Sequence, residues 1–95
     1  MANYDLDFER LYHDLEGSNQ MPDDFPTVIC EFINTDQATG RDKKILIARY
    51  EPGGTPSYEE VGKRFGVSKQ RAQQITQRRL SYLRVKLFLK YGNRL

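Results

Sequence analysis

Ser57-Tyr58-Glu59-Glu60-Val61-Gly62-Lys63-Arg64-Phe65-Gly66-Val67-Ser68-Lys69-Gln70-Arg71-Ala72-Gln73-Gln74-Ile75-Thr76-Gln77 is the stretch on which the fold turns. It opens with Ser57 and carries Glu60 three residues on, the spacing of a capping box in which hydroxyl and carboxylate satisfy each other's backbone donors. The short helix so started reaches Gly66, a residue that accepts positive φ and so can make a tight turn. A second helix begins at Ser68. Two helices that cross steeply need a small residue where they touch, and Gly62 stands there. Val61, Phe65, Val67, Ala72 and Ile75 supply apolar side chains at the spacings of a shared core. With Gly66, these seven positions fit a helix-turn-helix over residues 58–77.

The second helix of this motif is chemically one-sided. Apart from Ala72 and Ile75, its first half consists of Ser68, Lys69, Gln70, Arg71, Gln73, Gln74, Gln77, Arg78 and Arg79. Glutamine can pair bidentately with adenine, and lysine or arginine with guanine, in the major groove that a recognition helix enters. A solvated helix face ordinarily mixes Glu with Lys, yet residues 61–95 hold no acidic residue. Double-stranded DNA is therefore the expected partner.

Working toward the N-terminus, Glu51-Pro52-Gly53-Gly54-Thr55-Pro56 is turn chemistry throughout. Gly53-Gly54 is not followed by Lys-Ser/Thr, so it does not make a phosphate-binding loop. A helix is expected over 41–50, with Thr39 as its N-cap. Phe25, Val28, Ile29, Phe32 and Ile33 repeat at helical spacing, and Pro26 falls where a first turn tolerates it. Phe8, Leu11, Tyr12 and Leu15 make a further stripe, predicting a helix over 5–16 that Gly17 ends. Toward the C-terminus the recognition helix need not stop before Gly92. The expected fold is an all-α, five-helix domain: an acidic helical arm over 1–36 and the helix-turn-helix with an extended C-terminal helix over 37–95.

The 95 residues carry a net charge of only +2, but the charge is unevenly placed. Residues 1–40 contain one basic and nine acidic side chains, a net of −8; residues 41–95 contain fourteen basic and four acidic ones, a net of +10. Such a split suits a C-terminal half that meets a polyanion, and mutual neutralisation of the two halves is the alternative. Cys30 is the single cysteine, which excludes an internal disulfide and zinc sites built on paired thiolates. His13 has no neighbouring ligand residue. No nucleophile, base and orienting group occur together, and no apolar run approaches the ~20 residues of a membrane span. The expectation is a cytoplasmic, non-enzymatic protein without a cofactor.

At this point the residues resemble a family, region 4 of bacterial sigma factors, which reads the upstream promoter element. Thr39-Gly40-Arg41-Asp42 matches the start of its first helix, and Ile45-Leu46-Ile47-Ala48-Arg49-Tyr50 is similar to its Val-Leu-x-Leu-Arg-Tyr stretch. Residues 57–68 follow its Ser/Thr-Leu-Glu-Glu-Val-Gly pattern closely, residues 69–75 continue in register, and Leu80, Leu83 and Arg84 match its ending. The resemblance covers roughly residues 38–86. It implies base-reading by Lys69, Gln70, Gln73 and Gln74. It implies phosphate contacts by Arg49, Ser57, Lys63, Arg64, Arg71 and Arg78. Gln70 and Thr76 replace the usual Glu and Gln73 the usual Arg, which implies a different preferred sequence, because an amide both donates and accepts. Nothing resembles the sigma region that melts promoter DNA, so a free-standing region-4-like protein is expected.

Two functions follow from this reading. One is a sequence-selective DNA-binding transcription regulator; the other is a region 4 mimic that docks on RNA polymerase or on a sigma factor without reading DNA. The stripe Leu80, Leu83, Leu87 and Tyr91, with Val85, Phe88 and Leu89 on adjoining faces, has two readings as well. It either receives the arm, with Arg84, Lys86 and Lys90 near the arm's acids, or forms a homodimer seam along the C-terminal helix.

Overall fold

In a computed structural model that describes residues 4–15 and 20–92, the chain is all-helical, with the five elements α1 (Phe8–Asp14), α2 (Phe25–Thr35), α3 (Gly40–Arg49), α4 (Tyr58–Phe65) and α5 (Lys69–Tyr91). Gly17, the expected end of the first helix, lies outside the described residues.

Local side chains decide where these helices begin. α1 starts with the apolar stripe at Phe8, three residues later than the expected range of 5–16, because Asp7 is diverted to capping. Its carboxylate accepts from the Arg10 N–H at 3.2 Å, and its own N–H donates to the Tyr50 carbonyl at 2.7 Å, which ties the segment before α1 to the end of α3. Thr39, Ser57 and Ser68 cap α3, α4 and α5 by accepting from the backbone N–H three residues on. At Ser57 the reciprocal half of the capping box differs from expectation: the Glu60 carboxylate returns to the Ser57 hydroxyl, 3.5 Å away, instead of to its backbone N–H. Asp24, at the start of α2, makes no cap bond and accepts instead from the Tyr91 hydroxyl at 2.7 Å, tying the start of α2 to the end of α5.

α3 is a wall between two cores. Ile45 and Ala48 face α4 and α5, where they meet Val61, Ala72 and Ile75, flanked by Tyr58, Phe65 and Val67. Leu46 and Tyr50 face the other way, into a larger cluster of Leu11, Tyr12 and Leu15 from the α1 region, Phe25, Val28, Ile29 and Ile33 from α2, and Leu80, Leu83 and Leu87 from α5. The Tyr12 and Phe25 rings meet edge to face at 5.1 Å. The stripe on α5 that had two readings is thus filled from within the chain. Burial of this many large side chains, each worth about 1.5–3 kcal/mol, is what the small helix-turn-helix core lacks by itself.

Polar ties fix the arm in register. Arg79 Nη1 donates to both oxygens of buried Asp36, at 2.6 and 2.8 Å, across from the end of α2 to the middle of α5. The Tyr50 hydroxyl donates to Asp14 at 2.8 Å, and Arg84 donates to the Asp14 carbonyl at 3.0 Å. Burial, and then the carboxylates of Asp14 and Asp24, push the hydroxyls of Tyr50 and Tyr91 above the ordinary tyrosine range, so both remain donors. Two expected contacts are placed differently. Lys86 and Lys90 lie over the rings of Tyr82 and Tyr91, where a cation gains from the aromatic face, and the arm's acid–base pairing is made by Arg79. Phe88, expected under the arm, is 59% exposed, because it stands about 100° round α5 from Leu87, outside the stripe of Leu80, Leu83 and Leu87 that takes the arm.

The turn between α4 and α5 rests on two glycines with different demands. A Cβ on Gly62 would stand 2.6 Å from the Val67 carbonyl oxygen and 3.2 Å from that of Ser68, both backbone atoms. Gly66 has open space around it, but its φ is +68°. Gly62→Ala should therefore lower stability by about 2–3 kcal/mol, because backbone must move to accommodate the methyl group. Gly66→Ala should cost about 1 kcal/mol, the penalty of a left-handed alanine. Thermal unfolding followed by circular dichroism orders the two; an equal or inverted order would show that the close contact is not what holds the motif.

Candidate nucleic-acid interface

The turn at Gly66 sends the chain into α5 with its first turns projecting from the body of the protein. Gln70, Gln73, Gln74 and Gln77 recur at i, i+3, i+4 and i+7, so they make one strip along the helix. All four are exposed, as are Lys69 and Arg78 beside them. The opposite side of the same turns is buried through Ala72, Ile75 and Thr76. Among the described residues, Lys69, Gln70, Gln73 and Gln74 take no hydrogen bond or ion pair within the chain, so their donors and acceptors are available to a ligand.

Thr76 is fully buried. Of the three positions at which this chain departs from the sigma pattern, Gln70 and Gln73 lie on the exposed strip, and Thr76 faces the core and touches nothing outside. Burial on a helix of period 3.6 explains this: position 76 shares a face with 72 and 83, not with 73 and 77.

The residues expected on phosphates divide into two groups. Lys63 is exposed, with a 3.7 Å contact to Glu59 that both side chains make in solvent. Arg71 is half-buried on the first turn of α5, and Arg78 is exposed two turns later. The Ser57 hydroxyl already accepts from the Glu60 N–H at 3.2 Å. Arg64 donates to Glu51 at 2.6 Å, and this hydrogen bond, with the carboxylate's charge, raises the guanidinium pKa above its ordinary value. Arg49 is the most committed. Its guanidinium lies 4.5 Å over the Tyr58 ring and donates to the Pro56 carbonyl at 3.0 Å, so it clamps the loop between α3 and α4. Sequence spacing did not show this role, although a Tyr following a Pro-Ser helix start near an arginine is the pattern that makes it.

Among the described residues, no group of three His, Cys, Asp or Glu could hold a metal ion, and no helix is long and apolar enough to cross a membrane. His13 is exposed and Cys30 is buried against the backbone of Tyr4.

The architecture is that of a helix-turn-helix protein: a capped short helix, a left-handed glycine turn, and a second helix whose first turns present only amides and cations. Residues 37–85, just over half of the chain, match the family described as Sigma-70, region 4, and the chain belongs to that family. Comparisons with curated proteins and with solved structures gave no match. The family is a DNA-binding helix-turn-helix domain related to sigma factors, so the partners it implies are DNA, RNA polymerase or both.

The clamp made by Arg49 gives a test of the site's foundation. Arg49→Lys keeps the charge but loses the planar stack on Tyr58 and the geometry of the Pro56 bond. It should lower stability by about 1–2 kcal/mol and speed amide exchange over residues 51–56. Unchanged exchange in that loop would show that the clamp is incidental.

Proposed function

We propose that this protein binds duplex DNA sequence-selectively and regulates transcription, reading base edges in the major groove with Lys69, Gln70, Gln73 and Gln74. The observation that carries this reading is the exposed strip on the first turns of α5, free of partners within the chain and followed by no acidic residue to the C-terminus. Major-groove edges offer adenine N7 and N6 to an amide and guanine N7 and O6 to a lysine, so a glutamine-rich strip favours A·T-containing sites. Lys63, Arg71 and Arg78 flank the strip and hold the phosphates on either side. Ser57 lies at the start of α4, where exposed backbone donors and its hydroxyl meet a phosphate. Arg64 exchanges Glu51 for a phosphate oxygen on binding. Arg49 acts through the loop that it clamps.

A second reading, a region 4 mimic that docks on RNA polymerase or on a sigma factor, is favoured by a different observation: Val85, Phe88 and Leu89 are exposed on a protein otherwise well packed. Electrophoretic shift with random duplex pools, run beside RNA polymerase capture, separates the two. Selection of a sequence from the pool supports the first; capture without any duplex retention supports the second.

On the selected site, Gln74→Ala should cost about 1–3 kcal/mol of binding and relax the preference at one or two base pairs. Lys63→Ala should weaken all sequences alike. If Gln70→Ala and Gln74→Ala bind the selected site as the parent does, the strip is not the reader.

Neutralisation of roughly 4–6 phosphates by one recognition unit gives a fall of log K with log salt of slope about −4 to −5. Fluorescence anisotropy across a salt series reads this slope directly, and a slope near zero would remove DNA from the proposal.

A further inference from the structure

A cleft lies at the seam between the arm and the helix-turn-helix, and its chemistry serves neither the cores nor the reading strip. Its volume is about 560 Å³, within the range of small-molecule sites. Residues 35–38, from the end of α2 and the link to α3, form one wall, and Arg79, Tyr82 and Lys86 of α5 form the other. With 3.6 residues per turn, the α5 wall is rotated by roughly 160° from the centre of the Gln70–Gln77 strip. A duplex held by the strip therefore lies on the other side of α5, and the two surfaces are separate.

The cleft is rich in donors, and its acceptor charge is already committed. Asp36 is its one carboxylate. Both of its oxygens accept from Arg79 Nη1, at 2.6 and 2.8 Å, and one also accepts from the Ala38 N–H at 3.0 Å. Arg79 makes both bonds with a single nitrogen, so its other N–H groups remain: Nε is buried without a partner, and Nη2 has none among the described residues. The Lys86 ammonium pairs with no carboxylate and rests 5.6 Å from the Tyr82 ring centroid. The Tyr82 ring packs against the larger core, yet its hydroxyl has no hydrogen-bond partner among the described residues. Two cations and one carboxylate line the cleft, which leaves one positive charge uncompensated.

A guanidinium, an ammonium and a phenolic hydroxyl suit an anion with three terminal oxygens better than a carboxylate with two. We propose that this cleft binds a small phosphate monoester, whose terminal oxygens are taken by Arg79, Tyr82 and Lys86. The volume exceeds the need of a bare phosphate, so the organic part of the ester also fits, with the exposed Gln37 amide at its edge. Bound there, the ester joins the end of α2 to α5 beside the Asp36–Arg79 pair, adding to the tie that holds the arm. This site stands apart from the DNA-reading function proposed above, and either can fail without the other.

The full chain, labelled with nitrogen-15, is titrated with adenosine monophosphate, inorganic phosphate and citrate at about 0.15 M salt, where exposed charges are largely screened. Adenosine monophosphate should shift the amides of residues 35–38 and 79–86 saturably, with a Kd below about 1 mM. Inorganic phosphate should move the same amides more weakly, and citrate should leave them in place. Arg79 is kept intact because it holds Asp36. Lys86→Ala should weaken the nucleotide roughly tenfold, and Tyr82→Phe, which keeps the ring, roughly threefold or more, the losses expected of charge-assisted hydrogen bonds. Lys44→Ala, which removes an exposed cation outside the cleft, should change binding less than about twofold. Duplex retention by Lys86→Ala should equal that of the parent. Shifts centred on residues 69–78, or equal losses in Lys44→Ala and Lys86→Ala, would mean diffuse attraction to the basic half and overturn the site. Citrate binding as tightly as the nucleotide overturns the phosphate assignment. Absence of saturable shifts with both phosphate probes overturns the proposal as a whole.

Discussion

The close approach of Gly62 to the Val67 carbonyl is the contact on which the rest of the molecule depends. A hydrogen atom is the only substituent that fits there, since a methyl group would stand 2.6 Å from a backbone oxygen that cannot move without moving α5. That contact, with the left-handed turn at Gly66 and the 2.9 Å bond from the Val67 N–H to the Gly62 carbonyl, sets the angle at which α5 leaves α4. Once the angle is set, Ala72 and Ile75 fall onto Ile45 and Val61, and the residues between them are forced outward. The exposed strip is a consequence of packing on its reverse side.

The length of α5 joins two structures that neither half builds alone. Among the described residues the helix-turn-helix core has five buried side chains, of which two are alanines. Extending α5 past Gln77 lets Leu80, Leu83 and Leu87 enter the arm's core, with Leu46 of α3 and Tyr50 at its C-cap entering from the other direction. The Asp36–Arg79 pair sits at the junction, largely desolvated, with Arg79 only 19% exposed. A pair of this kind adds little net stability over an apolar pair but penalises any arrangement that separates it. It therefore serves to fix one docking of the arm.

The charge asymmetry has a physical consequence beyond attraction to a polyanion. The acidic arm packs on Leu80, Leu83 and Leu87 in the later turns of α5, beyond the turns that carry the strip, so the negative half of the molecule lies toward the other end of that helix from the surface proposed for DNA. A dipole of that sense orients the protein as it approaches a duplex and works against non-specific adhesion through the arm. The family relation names the partner class, and the departures at Gln70 and Gln73 supply amides where a carboxylate and a guanidinium would give different base preferences.

What was legible in the sequence was local. Caps at Thr39, Ser57 and Ser68, the turn at Gly66 and the apolar periodicities are each decided by interactions within a few residues, so five helices and the helix-turn-helix could be read without any tertiary information. The strip of glutamines is legible for the same reason, since spacing along one helix determines which side chains share a face. What only the tertiary structure decided are the matters in which a residue has more than one partner to choose from. Arg49 could have reached a phosphate and instead stacks on Tyr58; Lys86 could have paired with the arm's acids and instead covers Tyr82; Asp7 could have continued a helix and instead caps it while tying back to Tyr50. The apolar residues of α5 show the same division. Helical periodicity groups Leu80, Leu83 and Leu87 apart from Val85, Phe88 and Leu89, but it gives both groups the same hydrophobic character. Which group is buried depends on where the arm docks, and that is fixed by long-range contacts between α2, α3 and α5 that leave no periodic trace in the chain.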